Sequence, residues 1–213
     1  VQTCALPISQ IRGLNQGSTN AQDGISMIQT TEGALNETHA MLQRLKTLAT
    51  QSANGTYQNS DRTLVQKEVA QLTTEITRIA KETEFNGQQV LATAASISFQ
   101  VGNKSGQVIK VTNKKMTASA LSIATLNMAS AGAASSSLAK IEKAINTVSE
   151  HRATLGAVQN RLEHTISSTD NTSENLQAAE SRIRDTDMAK EMMEYTKSNI
   201  LTQAAQIGRA SCR

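Results

Sequence analysis

Apolar residues recur along this chain at steps of three, four and seven, in three long stretches. Over residues 9–51 they fall at Ile11, Leu14, Ala21, Ile25, Ile28, Leu35, Leu42, Leu45 and Leu48. That spacing lays a single apolar stripe along an α-helix. At 1.5 Å of rise per residue, about 40 residues would span roughly 60 Å. Gly13, Gly17, Gly24 and Gly33 interrupt the helix and cost about 1 kcal/mol each relative to Ala, so it must draw its stability from packing. SANGTYQNSD, residues 52–61, then collects turn formers, with Ser60 or Asp61 placed to cap a following helix. Val65, Val69, Leu72, Ile76 and Ile79 follow a 4-3-4-3 spacing that predicts an antiparallel helix over residues 60–83, closed by a glycine turn in EFNGQQVL. The period changes to two in ISFQVG and QVIKVT, which flank turn residues 103–106 and predict a β-hairpin over 96–112. A short helical stretch is expected near 117–126. ASAGAASSS follows and reads as a linker, the most mobile internal region. A third long helix is expected over 138–185, on Leu138, Ile141, Ile145, Val148, Leu155, Leu162, Ile166, Leu176 and Ile183. Around Asp185 to Asp187 the seam loses phase, and residues 186–206 continue as a separate Met-rich amphipathic helix without a partner.

These elements make the fold mainly α: an elongated antiparallel bundle of three long helices with a small β-hairpin. Composition narrows the picture further. Aromatic residues make up 2% of 213 and Trp is absent, which disfavours a thick globular core and suits narrow seams between polar helices. The single proline, Pro7, leaves the rest of the chain free to form long helices. A net charge of +3 from 21 basic and 18 acidic residues, spread without a dense basic run, argues against nucleic-acid binding. No window reaches the roughly 18 apolar residues of a membrane span, and no secretory leader is visible.

The two cysteines, Cys4 and Cys212, sit in VQTCALPI and IGRASCR. These terminal strings break the composition around them and resemble translated sequencing adapter, so residues 1–8 and 207–213 are expected not to belong to the functional protein. His39, His151 and His164 stand singly, with no HExxH pair and no Cys/His cluster, so no metal ligands are assigned. Glu180 with Asp185 and Asp187 could hold a cation, but acidic residues near a helix break more commonly act as caps or solvated charges. Neither a phosphate-binding glycine loop nor a nucleophile elbow is present. The chain is therefore read as a non-enzyme without a cofactor.

NAQDGISMIQTTEGALNETHAMLQRLKTLATQSANGT, EITRIAKETEFNGQQVL and LGAVQNRLEHTISSTDNTSENLQAAESRIRDTDMAKEMMEYTKSNILTQAAQ closely resemble bacterial flagellin, in that family's order. The resemblance implies a rod domain over residues 9–185, with helices about 9–51, 60–83 and 138–185 and the hairpin between, and the start of the inner-core helix over 186–206. It also implies a structural filament subunit for motility, extracellular in the flagellum, whose partners are copies of itself and, for the full-length protein, an export chaperone and the filament cap. The family's terminal helices lie outside this sequence, so the piece is expected to fold as a rod without polymerising on its own. Many flagellins are recognised by the innate immune receptor Toll-like receptor 5, and the matching positions are Gln43, Arg44, Leu48 and Glu68. Arg44 and Leu48 lie four apart, which suggests an Arg fork beside an apolar knob, with Glu68 supplied by the second helix. Lys46 and Thr47 depart from the commoner residues at those places. A hook-filament junction protein is the nearest alternative, and the ETEFNG and LGAVQNRLEHT blocks weigh against it. A helical signalling rod of the chemoreceptor kind is another, and the hairpin between its arms weighs against that.

Overall fold

The structure is a computed structural model that describes residues 2–184 and 188–211, with side chains over 8–182 and 190–205. The phase break expected at 185–187, with Asp185 and Asp187, lies outside the described residues, as do the side chains of Cys4 and Cys212. Among the described residues eight elements follow in order: α1 (Gln2–Ala53), α2 (Asn59–Glu82), β1 (Glu84–Phe85), β2 (Gln88–Gln89), β3 (Ser96–Gln100), β4 (Val108–Thr112), α3 (Ala131–Arg184) and α4 (Met188–Ser211). The fold is mainly α, as the periodicity predicts, and among the described residues it carries two small antiparallel hairpins where one was expected. The chain divides into two compact units, one of residues 13–170 and one of residues 1–12 with 171–213.

In the larger unit the three predicted seams meet. Ile28, Leu35, Leu42 and Leu45 of α1, Ile76 of α2, and Ile141, Leu155 and Leu162 of α3 are all buried. Truncating one such Leu or Ile to Ala typically costs about 2–5 kcal/mol, so this narrow core carries most of the unit's stability. Ion pairs lie along its edges: Lys46 Nζ to Glu142 Oε1 at 3.0 Å and Arg152 Nη2 to Glu32 Oε1 at 3.4 Å join α1 to α3. Exposed pairs of this kind contribute about 0–1 kcal/mol.

The reversal between α1 and α2 is held by a residue that periodicity does not reveal. Arg62 is buried, with 8% of its surface exposed. Its Nε donates to the Ser52 carbonyl at 2.9 Å and its Nη2 to the Asn54 carbonyl at 3.0 Å, while Nη1 donates to Asn59 Oδ1 at 3.0 Å. A helix leaves its last carbonyls without intrahelical donors and carries partial negative charge at that end, so a guanidinium is well matched to it. The N-cap of α2 is Gln58, two and three residues before the expected cap positions Ser60 and Asp61, and Asp61 reaches back to accept from the Gln58 N–H at 3.2 Å.

The glycine turn expected in EFNGQQVL is a two-residue hairpin. Asn86 and Gly87 take φ of 51° and 74°, the left-handed pair that an Asn-Gly turn supplies at little cost. The second hairpin pairs β3 with β4 in the register Ser96 to Thr112 through Gln100 to Val108. It lies against α1 where the helical glycines are. A Cβ on Gly13 would stand 2.8 Å from Asn103 Cβ, and one on Gly17 would stand 2.6 Å from the Val101 carbonyl oxygen. These glycines therefore admit the hairpin to the helix surface. Gly33 is different: nothing lies within 4 Å of its would-be Cβ. Gly33→Ala is expected to stabilise the chain by up to about 1 kcal/mol through helix propensity alone, read as a raised midpoint in urea unfolding.

Two expectations are corrected between the hairpin and α3. Residues 117–126 form turns instead of a helix. The Leu121 N–H reaches the Thr117 carbonyl at 3.0 Å, but Ser122 then takes a φ of 60° and ends the turn. Buried Met116, Ile123 and Met128 fix this segment from below. Gln66 clamps it from α2, donating to the Leu126 carbonyl at 3.1 Å and accepting from the Met128 N–H at 2.7 Å. ASAGAASSS is not a linker, because α3 already begins at Ala131, with Ser130 Oγ accepting from the Ala133 N–H at 3.3 Å. Ala134 and Ser137 of this run are buried. Small residues there suit close packing, and only the low side-chain mass made them read as a flexible tether.

In the smaller unit, α4 exposes Met192, Met193, Tyr195, Ile200 and Leu201. Their spacing puts Met193, Ile200 and Leu201 on one helical face, the amphipathic character that the Met-rich run predicts.

Candidate interaction surface

Of the four positions singled out by resemblance, three come together at the surface between α1 and α2. Arg44 Nε and Nη2 approach the same Glu68 oxygen, Oε1, at 2.8 Å and 2.7 Å. The guanidinium is thus bonded through one edge to a single carboxylate oxygen. The side chains are 55% and 43% exposed, so the pair adds about 0–1 kcal/mol to the fold, and donors of Arg44 with an oxygen of Glu68 face solvent. Gln43, exposed on α1, has Nε2 3.4 Å from His39 Nε2, one turn away. Beside them runs a shallow polar groove of about 520 Å³, lined by Gln43, Lys46, Thr47, Thr50, Gln51 and Asn54.

Leu48 is not an exposed knob. It is 2% exposed and belongs to the core. The reason is in its own spacing: Leu42, Leu45 and Leu48 step by three along the buried seam of α1. The apolar side chain that does stand out is Leu64, 65% exposed and one turn before Glu68 on α2. Its signal was legible, since Leu64 falls out of phase with the seam of Val65, Val69, Leu72 and Ile76.

The remaining chemistry is dispersed. Among the described residues no three His, Cys, Asp or Glu side chains gather as metal ligands, and no helix is long and apolar enough to cross a membrane. His164 is exposed on α3. His151, on the same helix, is wholly buried, and neither ring nitrogen has a hydrogen-bond partner. Burial, reinforced by the Lys114 charge and opposed by Glu150, holds its pKa below the usual 6.5. The unfolded chain therefore binds this proton at a higher pH than the folded chain does. Stability should be level above pH 6.5 and fall as the pH drops below it, by at most about 1.4 kcal/mol per pH unit for one proton. The difference in unfolding free energy between the parent and His151→Leu, measured by urea titration from pH 7 to pH 5, is expected to change with that sign.

Two family models match the chain. The one described as bacterial flagellin N-terminal helical region covers residues 8–96, and the one described as bacterial flagellin C-terminal helical region covers residues 138–210. A flagellin of Halalkalibacterium halodurans is 51% identical over 201 residues, spanning 93% of this chain and 74% of that protein. The flagellar filament 33 kDa core protein of Treponema phagedenis is 46% identical over 213 residues, spanning 92% and 74%. Among solved structures, Bacillus cereus flagellin superposes with a TM-score of 0.64 at 34% identity, over 76% of this chain and 94% of that one.

Proposed function

This chain belongs to the bacterial flagellin family, and from that premise we propose a filament subunit that also presents a receptor-recognition surface. As a flagellin it is a structural subunit of the flagellar filament, assembling with copies of itself, and its family membership points to a protein without catalysis. The match of one model to each helical end of the chain carries this reading. We further propose that the subunit works outside the cell, that an export chaperone and the filament cap handle the full-length protein, and that Toll-like receptor 5 recognises monomers shed from the filament.

The recognition surface is Gln43, Arg44 and Glu68, with Leu48 acting from beneath. A half-exposed Arg whose second edge is open, next to a carboxylate that fixes its orientation, has the character of a binding hot spot. Leu48 supports the helix that presents it. The two roles separate in a reporter-cell assay run alongside thermal unfolding. Arg44→Ala should lower signalling potency about tenfold, equivalent to about 1.4 kcal/mol of binding, with the melting temperature nearly unchanged. Leu48→Ala should lower both together. Arg44→Ala at parental potency would end the receptor reading and leave filament assembly untouched.

A further inference from the structure

The chain has two phenylalanines, and both line one cleft of about 600 Å³ in the larger unit, together with Asp23 and Met27 of α1, Gln88 of β2 and Ile97 of β3. We propose that this cleft receives a lysine side chain from a second copy of the protein, an inference that rests on the filament-subunit reading. The cleft is a built feature. Asn20 Nδ2 donates to the Gln100 carbonyl at 3.0 Å and pins β3 to α1. Gly24 lets the Phe99 ring close over the helix, since a Cβ there would lie 3.3 Å from Phe99 Cγ.

Its chemistry selects the occupant. Asp23 is the single charged residue of the lining, is exposed, and makes no ion pair among the described residues. A lining that joins one carboxylate to two aromatic rings and the apolar side chains of Met27 and Ile97 suits a long alkyl stem ending in a cation. The chain supplies that group. Its net charge is +3, and Lys67, Lys81, Lys115, Lys140 and Lys143 are exposed on the larger unit without an ion pair among the described residues. A filament contact is heterologous, so a receptor patch on one copy must meet an unlike donor patch on the next. Unpaired Asp23 in an aromatic cleft, set against unpaired lysines elsewhere on the same surface, has that complementarity.

Zero-length carbodiimide coupling tests the proposal. An equal mixture of ¹⁴N- and ¹⁵N-labelled full chain, concentrated so that weak contacts are trapped, is coupled and digested, and linked peptides are read by mass spectrometry. Asp23 should appear joined to a lysine in mixed-isotope pairs. The link should vanish in Asp23→Asn and fall at least tenfold in overall inter-copy yield in Asp23→Lys, with circular dichroism unchanged in both. Changing the linked lysine to Glu in the Asp23→Lys background should restore inter-copy yield. Mixed-isotope links at other residues with none at Asp23, or Asp23→Lys coupling at the parental yield, overturns the cleft assignment and leaves the filament reading standing. No mixed-isotope links at all overturns the cleft assignment as well, while the filament reading stands on the family match.

Discussion

Arg62→Ala is expected to destabilise the chain by about 3 kcal/mol, making it among the most damaging single substitutions outside the apolar core. The side chain is buried and makes three hydrogen bonds, two of them to carbonyls at the end of α1. Hydrogen bonds from a charged donor contribute about 1.5–3 kcal/mol each, and a carbonyl left buried without a donor carries its own desolvation cost of about 1–3 kcal/mol. Because the losses share one side chain and water can reach part of the turn, their sum overstates the effect, and about 3 kcal/mol is the reasonable centre. Arg62→Lys keeps the charge but cannot serve three separated acceptors from one ammonium, so it should recover less than half of the loss. Guanidinium unfolding followed by circular dichroism reads both variants. The Ser52 Oγ bond to the Met128 carbonyl at 2.7 Å ties the same end of α1 to the 113–130 segment. Hydrogen exchange should therefore rise there as well as in the turn. If the Arg62→Ala loss were below about 1 kcal/mol, the guanidinium would be solvated in practice and its role as a helix-end clamp would fall.

Why this clamp escapes a reading of the sequence is a matter of range. Periodicity reports which residues share a face, and it placed Ile28, Leu35, Leu42, Ile76, Ile141 and Leu162 in the core without knowing what each would touch. Arg62 has an identity that says surface and a neighbourhood that says otherwise, and the partners that bury it are backbone carbonyls, which leave no trace in the spacing of side chains. The loop after β4 fails for a related reason. Met116, Ile123 and Met128 are buried by long-range packing, and their irregular spacing matches neither 3.6 nor 2.0. ASAGAASSS reads as a tether because small residues serve close contacts and flexible tethers alike, and composition alone cannot separate them. Leu48 shows the opposite lesson: its place in the seam already argued for burial, and a functional match at the same position obscured it.

The glycines of α1 carry the sharpest test of this distinction. Read along the sequence, Gly17 and Gly33 are equivalent: each sits inside a long helix and weakens it by about 1 kcal/mol relative to Ala. Their surroundings differ. At Gly17 a Cβ would stand 2.6 Å from the Val101 carbonyl oxygen and 2.8 Å from its carbon, backbone atoms that no rotamer change can move, while at Gly33 it would meet open space. Gly17→Ala should therefore lose stability despite its better helix propensity, by about 1–2 kcal/mol once overpacking is set against that gain. Gly17→Val adds two further methyl groups and a β-branched χ1 restriction, and should cost about 3 kcal/mol or more. The damage should be local first. The hairpin of β3 and β4 would lift from α1, so amide exchange over residues 96–112 should accelerate before the helical signal falls. The Asn20 bond to the Gln100 carbonyl, which holds the same strand, would be lost with it, and coupling at Asp23 should decline in step because Phe99 would no longer wall the cleft. Gly17→Ala and Gly33→Ala moving stability in opposite directions would show that α1 keeps these residues for unlike reasons. Equal gains from both would mean that the hairpin rests on the helix too loosely to feel a methyl group.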